Sequence, residues 1–110
     1  MKLVRYGQPG QEKPALLDAA GKLRDLSALL EDFTPKTLSP EALDVLRAID
    51  AERLPEVAGT PRLGVPWSGM GKFVAIGLNY SDHAAEAGHA IPQEPTMFNK
   101  WLSCVCGPND

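Results

Sequence analysis

The chain reads as an α+β protein: a small mixed α/β amino-terminal domain followed by the first part of a mostly β, mixed-sheet domain. Three observations carry that reading. Short strand-like segments near the amino terminus are separated by turn residues, a capped amphipathic helix follows, and an apolar run opens at Lys72 beyond a stretch dense in proline and glycine. Residues 1–62 are expected to form the first domain, 63–71 a connector, and 72–110 an incomplete second domain.

The first domain starts with two short strand candidates, Lys2 to Tyr6 and Pro14 to Leu17. Asp18-Ala19-Ala20-Gly21 leads into a third candidate, Lys22 to Leu26, as a hairpin with Gly21 in the left-handed position. Ser27 is placed to cap a short helix through Ala28, Leu29 and Leu30, and Ser39-Pro40 sets a capping hydroxyl before a proline at the first helical position. Leu43, Leu46 and Ile49 then recur at threes along one helical face. Acidic and basic residues here are scattered singly, which reads as a solvated surface.

Charge divides the chain. Residues 1–62 hold 9 Lys+Arg and 10 Asp+Glu, whereas residues 63–110 hold 2 and 4, so the second part reads as built for burial. Between them Pro55, Gly59, Pro61, Gly64, Pro66, Gly69 and Gly71 fall within 17 positions, too many breakers for a regular element. At 110 residues, 44% hydrophobic and 23% charged, the chain has a globular composition, and its formal charge of -3 offers no basic field for nucleic acid. The longest strongly apolar run, Phe73 to Leu78, is far below the roughly 20 residues that cross a bilayer, so no membrane span is expected. Charges at Lys2 and Arg5 interrupt any secretory signal, which makes a cytoplasmic location the expectation. Cys104 and Cys106 read as buried, reduced thiols.

Lys72 to Tyr80 is apolar on both alternating faces until Asn79 and reads as a strand buried on both sides. It runs into Ser81 to Gly88, a short helix that Ser81 or Asp82 can cap and Gly88 can end. His83 and Glu86 are three apart on that helix and within reach of each other. A carboxylate beside an imidazole orients the ring and raises its basicity, so the pair can take a proton from water near neutral pH. The same spacing also suits a plain surface or capping pair, and a metal site of His83, Glu86 and His89 is a third reading.

Gly77-Leu78-Asn79-Tyr80-Ser81-Asp82-His83-Ala84-Ala85-Glu86-Ala87-Gly88, then Pro92, Glu94-Pro95, Phe98, Lys100, Ser103 and Gly107-Pro108, resembles the opening of the catalytic domain in the fumarylacetoacetate hydrolase family. The first 70 residues resemble the small amino-terminal domain of bacterial members that act on 2,4-dioxo acids from sugar-acid breakdown. The resemblance implies a small-molecule 2-oxo or 2,4-dioxo acid substrate and a magnesium or manganese ion that chelates it and stabilises an enolate. It implies that His83 is the general base, Glu86 its orienting partner, and their segment a lid. Lys100 would assist an anionic substrate or an oxyanion, or else serve as a lid-anchoring surface lysine, and Asn79 and Tyr80 would shape the pocket. A homodimer through the catalytic domain is likewise implied.

Two departures stand out. His89 and Trp101 occupy positions where the family more often has apolar or smaller residues. The family's metal ligands are a Glu-x-Glu pair and a later Asp, and no two glutamates here are two apart, so the ligands are expected downstream of Asp110 and none in this chain. The expectation is therefore an amino-terminal portion of a metal-dependent carbon–carbon hydrolase, inactive by itself. The alternatives are an isomerase, hydratase or decarboxylase of 2-oxo dioic acids, or a non-catalytic assembly or ligand-binding domain.

Overall fold

The computed structural model describes residues 1–110 and is α+β, with two small sheets and two short helices. It divides into two compact units, Met1–Met70 with Val105–Asp110, and Gly71–Cys104. The break falls at the end of the proline- and glycine-rich stretch, and the last six residues, expected in the second domain, belong to the first unit.

In the first unit β1 (Lys2–Tyr6), β2 (Lys13–Leu17) and β3 (Leu23–Asp25) form an antiparallel sheet in that order, with Val4 opposite Ala15 and Leu16 opposite Arg24. The β2–β3 turn is built as the residues suggest. Gly21 takes φ 78°, and the Asp18 carboxylate accepts the backbone N–H groups of Ala20 and Lys22, both at 2.9 Å. Helix α1 (Pro40–Arg47) starts with Pro40 behind Ser39, whose hydroxyl accepts from the Ala42 N–H at 3.3 Å. Its Leu43 and Leu46, with Ile49 just beyond, pack onto a core of Leu16, Leu26 and Phe33.

The helix expected over Ala28 to Leu30 does not form. Asp25 accepts both the backbone N–H and the hydroxyl of Ser27, and only one turn follows, with Leu30 N–H reaching Leu26 C=O at 3.1 Å. Local side-chain bonding has replaced helix propagation. The proline- and glycine-rich stretch from Pro55 to Gly64 is hydrogen-bonded to the sheet. Asp25 N–H donates to Pro55 C=O and Val57 N–H to Leu23 C=O along the β3 edge, while Gly7 N–H donates to Arg62 C=O and Gly64 N–H to Arg5 C=O along β1. Both edges of the sheet are thus covered by proline- and glycine-rich chain, which removes the hazard of open strand edges.

Most charged residues of this unit are exposed as expected, but a subset is organised into a partly buried network. Arg5 grips Asp32 through two hydrogen bonds of 2.7 and 3.0 Å and lies 3.6 Å from Glu12. Glu12 also accepts from Arg62 at 3.0 Å, and Arg62 forks onto Asp110 at 2.6 and 2.5 Å. The side chains of Arg5 and Glu12 are only 11% and 8% exposed. Burial alone would raise the Glu12 carboxyl, but the Arg62 hydrogen bond and the Arg5 charge hold it below the usual glutamate range. Burial opposes ionisation at Asp32 as well, and the Arg5 bonds overcome it. The Arg62 bonds lower Asp110, and Asp110 in turn holds the Arg62 guanidinium more firmly protonated. Gly107 to Asp110 form the turn that their composition suggests, closed by Gly107 N–H onto the Asp110 carboxylate at 2.7 Å.

In the second unit β4 (Val74–Gly77) and β5 (Thr96–Asn99) pair antiparallel, with Val74 opposite Asn99 and Gly77 opposite Thr96. Helix α2 (Ser81–Glu86) lies between them in sequence. The expected double-sided burial of β4 is not found: Val74 and Ile76 are 48% and 42% exposed. A two-stranded ladder has no layer on either face to cover it, so low charge has not produced burial. The expected burial of the cysteines is corrected as well. Both thiols are free and exposed, and Cys104 Sγ donates to the Trp101 carbonyl at 2.8 Å. No helix is long and apolar enough to cross a membrane.

Candidate functional site

The polar residues singled out in the sequence gather around the path from β4 into α2. The chain leaves Gly77, turns at Leu78 with φ 48°, passes Asn79 and Tyr80, and enters α2 at Ser81. Tyr80 is the cap residue in extended conformation, but no side chain caps the helix, so neither Ser81 nor Asp82 fills that role. The helix starts at Ser81 itself, which places its hydroxyl within the first turn. Asp82 instead bends back to accept the His83 N–H at 2.8 Å. That carboxylate beside the imidazole segment was not singled out in the sequence, where Asp82 reads only as a cap.

The far end of α2 follows its sequence closely. Gly88 takes φ 70°, its N–H donates to Ala85 C=O at 3.1 Å, and His89 N–H donates to Ala84 C=O at 2.8 Å. These two bonds are the Schellman arrangement, for which glycine is the residue without a steric penalty. Ala84, fully buried, is the one residue that anchors the helix.

His83 and Glu86 occupy i and i+3 of α2, and both are exposed. No hydrogen bond or ion pair joins them. In water such a pair gains only about 0.2–0.5 kcal/mol, too little to hold both side chains in one geometry. Substrate-free sites often show such loose catalytic contacts.

Lys100 is placed elsewhere. It follows β5, its N–H donates to Phe73 C=O at 2.8 Å, and its ammonium stands 6.0 Å from the Phe98 ring centre. That end of the ladder is opposite the end that feeds α2, about 10 Å away along the strands. Lys100 lines a cavity of about 520 Å³ with Lys72, Phe73 and Trp101. Asn79 lines another of about 380 Å³ with Leu78, Pro92 and Glu94. Tyr80 is strongly exposed. The structure brings Asn79, Tyr80, His83 and Glu86 into one segment and leaves Lys100 apart.

The donor set does not suit the divalent ion that the resemblance implies. Nowhere do three or more His, Cys, Asp or Glu side chains converge. His83, Glu86 and His89 therefore do not form the metal site considered from their spacing, because the Gly88 turn ends the helix before His89 can extend its face. A hard cation taking six or more oxygens finds no cage among these residues.

No family model matches the chain. Over all 110 residues it is similar to provisionally named hydrolases: 59% identical to one from Burkholderia cenocepacia, 58% to one from Burkholderia ambifaria and 57% to one from Burkholderia multivorans. The match takes in the whole of this chain and 39% of the length of each relative.

Proposed function

We propose that the chain is the amino-terminal portion of a cytoplasmic hydrolase of the fumarylacetoacetate hydrolase type, which cleaves a carbon–carbon bond in a 2,4-dioxo acid. The single observation that carries this reading is the delivery of His83 and Glu86 on one exposed helical turn at the carboxyl end of β4. The hydrolase names of relatives at 57–59% identity support the reaction class.

In this reading His83 takes a proton from water, and the hydroxide adds to the carbonyl carbon farther from the carboxylate. Collapse of the tetrahedral adduct re-forms the carbonyl as a carboxylic acid and breaks the adjacent carbon–carbon bond. The electron pair passes into the enolate of a pyruvate-like product, which is then protonated at carbon. Glu86 turns the imidazole and steadies its charged form once closure brings the two together. A divalent magnesium or manganese ion would supply electrophilic stabilisation of that enolate, but the residues present do not hold one. We assign its ligands, and the homodimer contact, to the additional length that the relatives possess.

The test is His83→Ala in a polypeptide of the relatives' length, assayed on an acylpyruvate with magnesium. Turnover should fall by about 10²- to 10⁴-fold, the usual contribution of a general base. Near wild-type turnover would remove His83 from the mechanism. The 110-residue chain assayed alone should show no magnesium-dependent cleavage.

A further inference from the structure

The chain leaves the first unit after Met70 and comes back to it at Val105, so Gly71–Cys104 is an excursion with both ends on that unit. Backbone bonding holds the departure. Ser68 donates its N–H at 2.7 Å and its hydroxyl at 3.2 Å to the carbonyl of Phe33, which is fully buried in the core.

The return is held by close packing and charge. Residues 62–64 already lie along β1, and Gly107 sits against them: a methyl group there would strike the Leu63 carbonyl oxygen and come within 3.1 Å of Gly64 Cα. A Cβ on Gly64 would in turn stand 2.7 Å from the Glu12 side chain. The two glycines let three lengths of chain touch where side chains would part them. Arg62 then locks the seat. Its Nε and Nη2 donate to the two Asp110 carboxylate oxygens at 2.6 and 2.5 Å, while Nη1 donates to Glu12 at 3.0 Å and to the Gly7 carbonyl at 3.1 Å. Asp110 also accepts the Gly107 N–H at 2.7 Å, so one carboxylate closes the returning turn and ties it to Arg62. Such a fork fixes direction as well as charge.

We propose that Arg62, Asp110 and the Gly64–Gly107 contact form a clasp that closes the excursion, so that the amino-terminal unit holds the two ends of Gly71–Cys104 together. Gly64 and Ser68 are four positions apart, which keeps the two anchors within about 14 Å of each other. Holding both ends of a flexible segment removes many of the conformations open to it when its strands part, so β4 and β5 re-pair at a lower entropic cost. A two-stranded ladder has little other support. The clasp thus gives the amino-terminal unit a task that needs no catalytic group.

The experiment is native-state amide exchange on the 110-residue chain with the clasp broken in two chemically different ways. Arg62→Met removes the fork, and Gly107→Ala unseats the turn with every charge intact. In each variant the β4–β5 amides, and the Lys100 amide bonded to Phe73, should exchange roughly tenfold faster. Continued protection of the Leu26 amide, bonded to Pro14, checks that the first unit stays folded, and where Arg62→Met fails that check Gly107→Ala alone decides. Arg5→Met weakens the same unit but spares the fork on Asp110, and should leave the ladder at wild-type rates. Unchanged ladder exchange in the folded clasp variants overturns the proposal, and so does an equal acceleration by Arg5→Met. Because no arm reads turnover, the outcome is independent of the His83→Ala test.

Discussion

The first unit of this protein carries most of the charge and yet owns the hydrophobic core, whereas the second carries few charges and buries one alanine. Leu16, Leu26, Phe33 and Leu46 are enclosed in the first because a sheet, a helix and a return of the chain supply three sides. Phe73, Val74, Ile76, Met97 and Phe98 in the second stay exposed because two strands and a short helix supply too few. Apolar composition states what a segment would gain from burial. Only the presence of a covering layer lets it collect that gain.

The sharpest way to break this comparison is a matched pair of truncations. Phe33→Ala removes a ring that is 0% exposed and should cost the first unit about 3–5 kcal/mol in denaturant unfolding. Ile76→Ala, at a side chain 42% exposed, should cost less than about 1 kcal/mol. Equal losses at the two sites would mean that the second unit has a core of its own.

A second prediction concerns the Arg5–Glu12–Arg62 network. Glu12, Asp32 and Asp110 have carboxyls lowered from ordinary values of 4.5, 3.8 and 3.8. A lowered folded-state value means that the native state binds fewer protons than the unfolded state over that range. The stabilisation is therefore fully present above those ordinary values and is lost as pH falls through the folded-state ones. The first unit should weaken progressively below about pH 4.5. Arg5→Met should cost about 1–3 kcal/mol at neutral pH and flatten the acid limb, since Glu12 and Asp32 would lose their main partner. An unchanged limb, followed by circular dichroism, would show that the network is ornamental.

The smallest effect tests the terminal turn of α2. A methyl group at Gly88 meets no atom within 4 Å, so Gly88→Ala isolates the cost of φ 70°. That cost is about 1 kcal/mol and should appear as roughly fivefold faster exchange of the His89 amide, with the first unit unchanged. Absence of any change would mean that the turn does not hold the helix end.

Much of the local structure was legible because local rules decide it. The strand Lys2–Tyr6, the Gly21 hairpin, the Ser39-Pro40 helix start and the Gly88 helix end each rest on a residue whose preferred φ or capping oxygen acts within a few positions. The segment bearing His83 and Glu86 was legible for the same reason: a strand, a short helix and a glycine stop are neighbours in sequence. Leu78 carried no such signal, since leucine ordinarily avoids positive φ.

The amino-acid order alone thus determined β1, the Gly21 hairpin, the start of α1, the Gly88 stop of α2 and the placement of an imidazole and a carboxylate on one helical turn. Tertiary structure decided the rest. It joined Arg5 to Asp32 across 27 positions and Arg62 to Asp110 across 48, left β4 uncovered, exposed both cysteines and set Lys100 at the far end of the ladder from His83. Those outcomes depend on which distant groups arrive beside one another. Burial and ion pairing are properties of the assembled neighbourhood, whereas a turn or a cap is a property of a few consecutive residues.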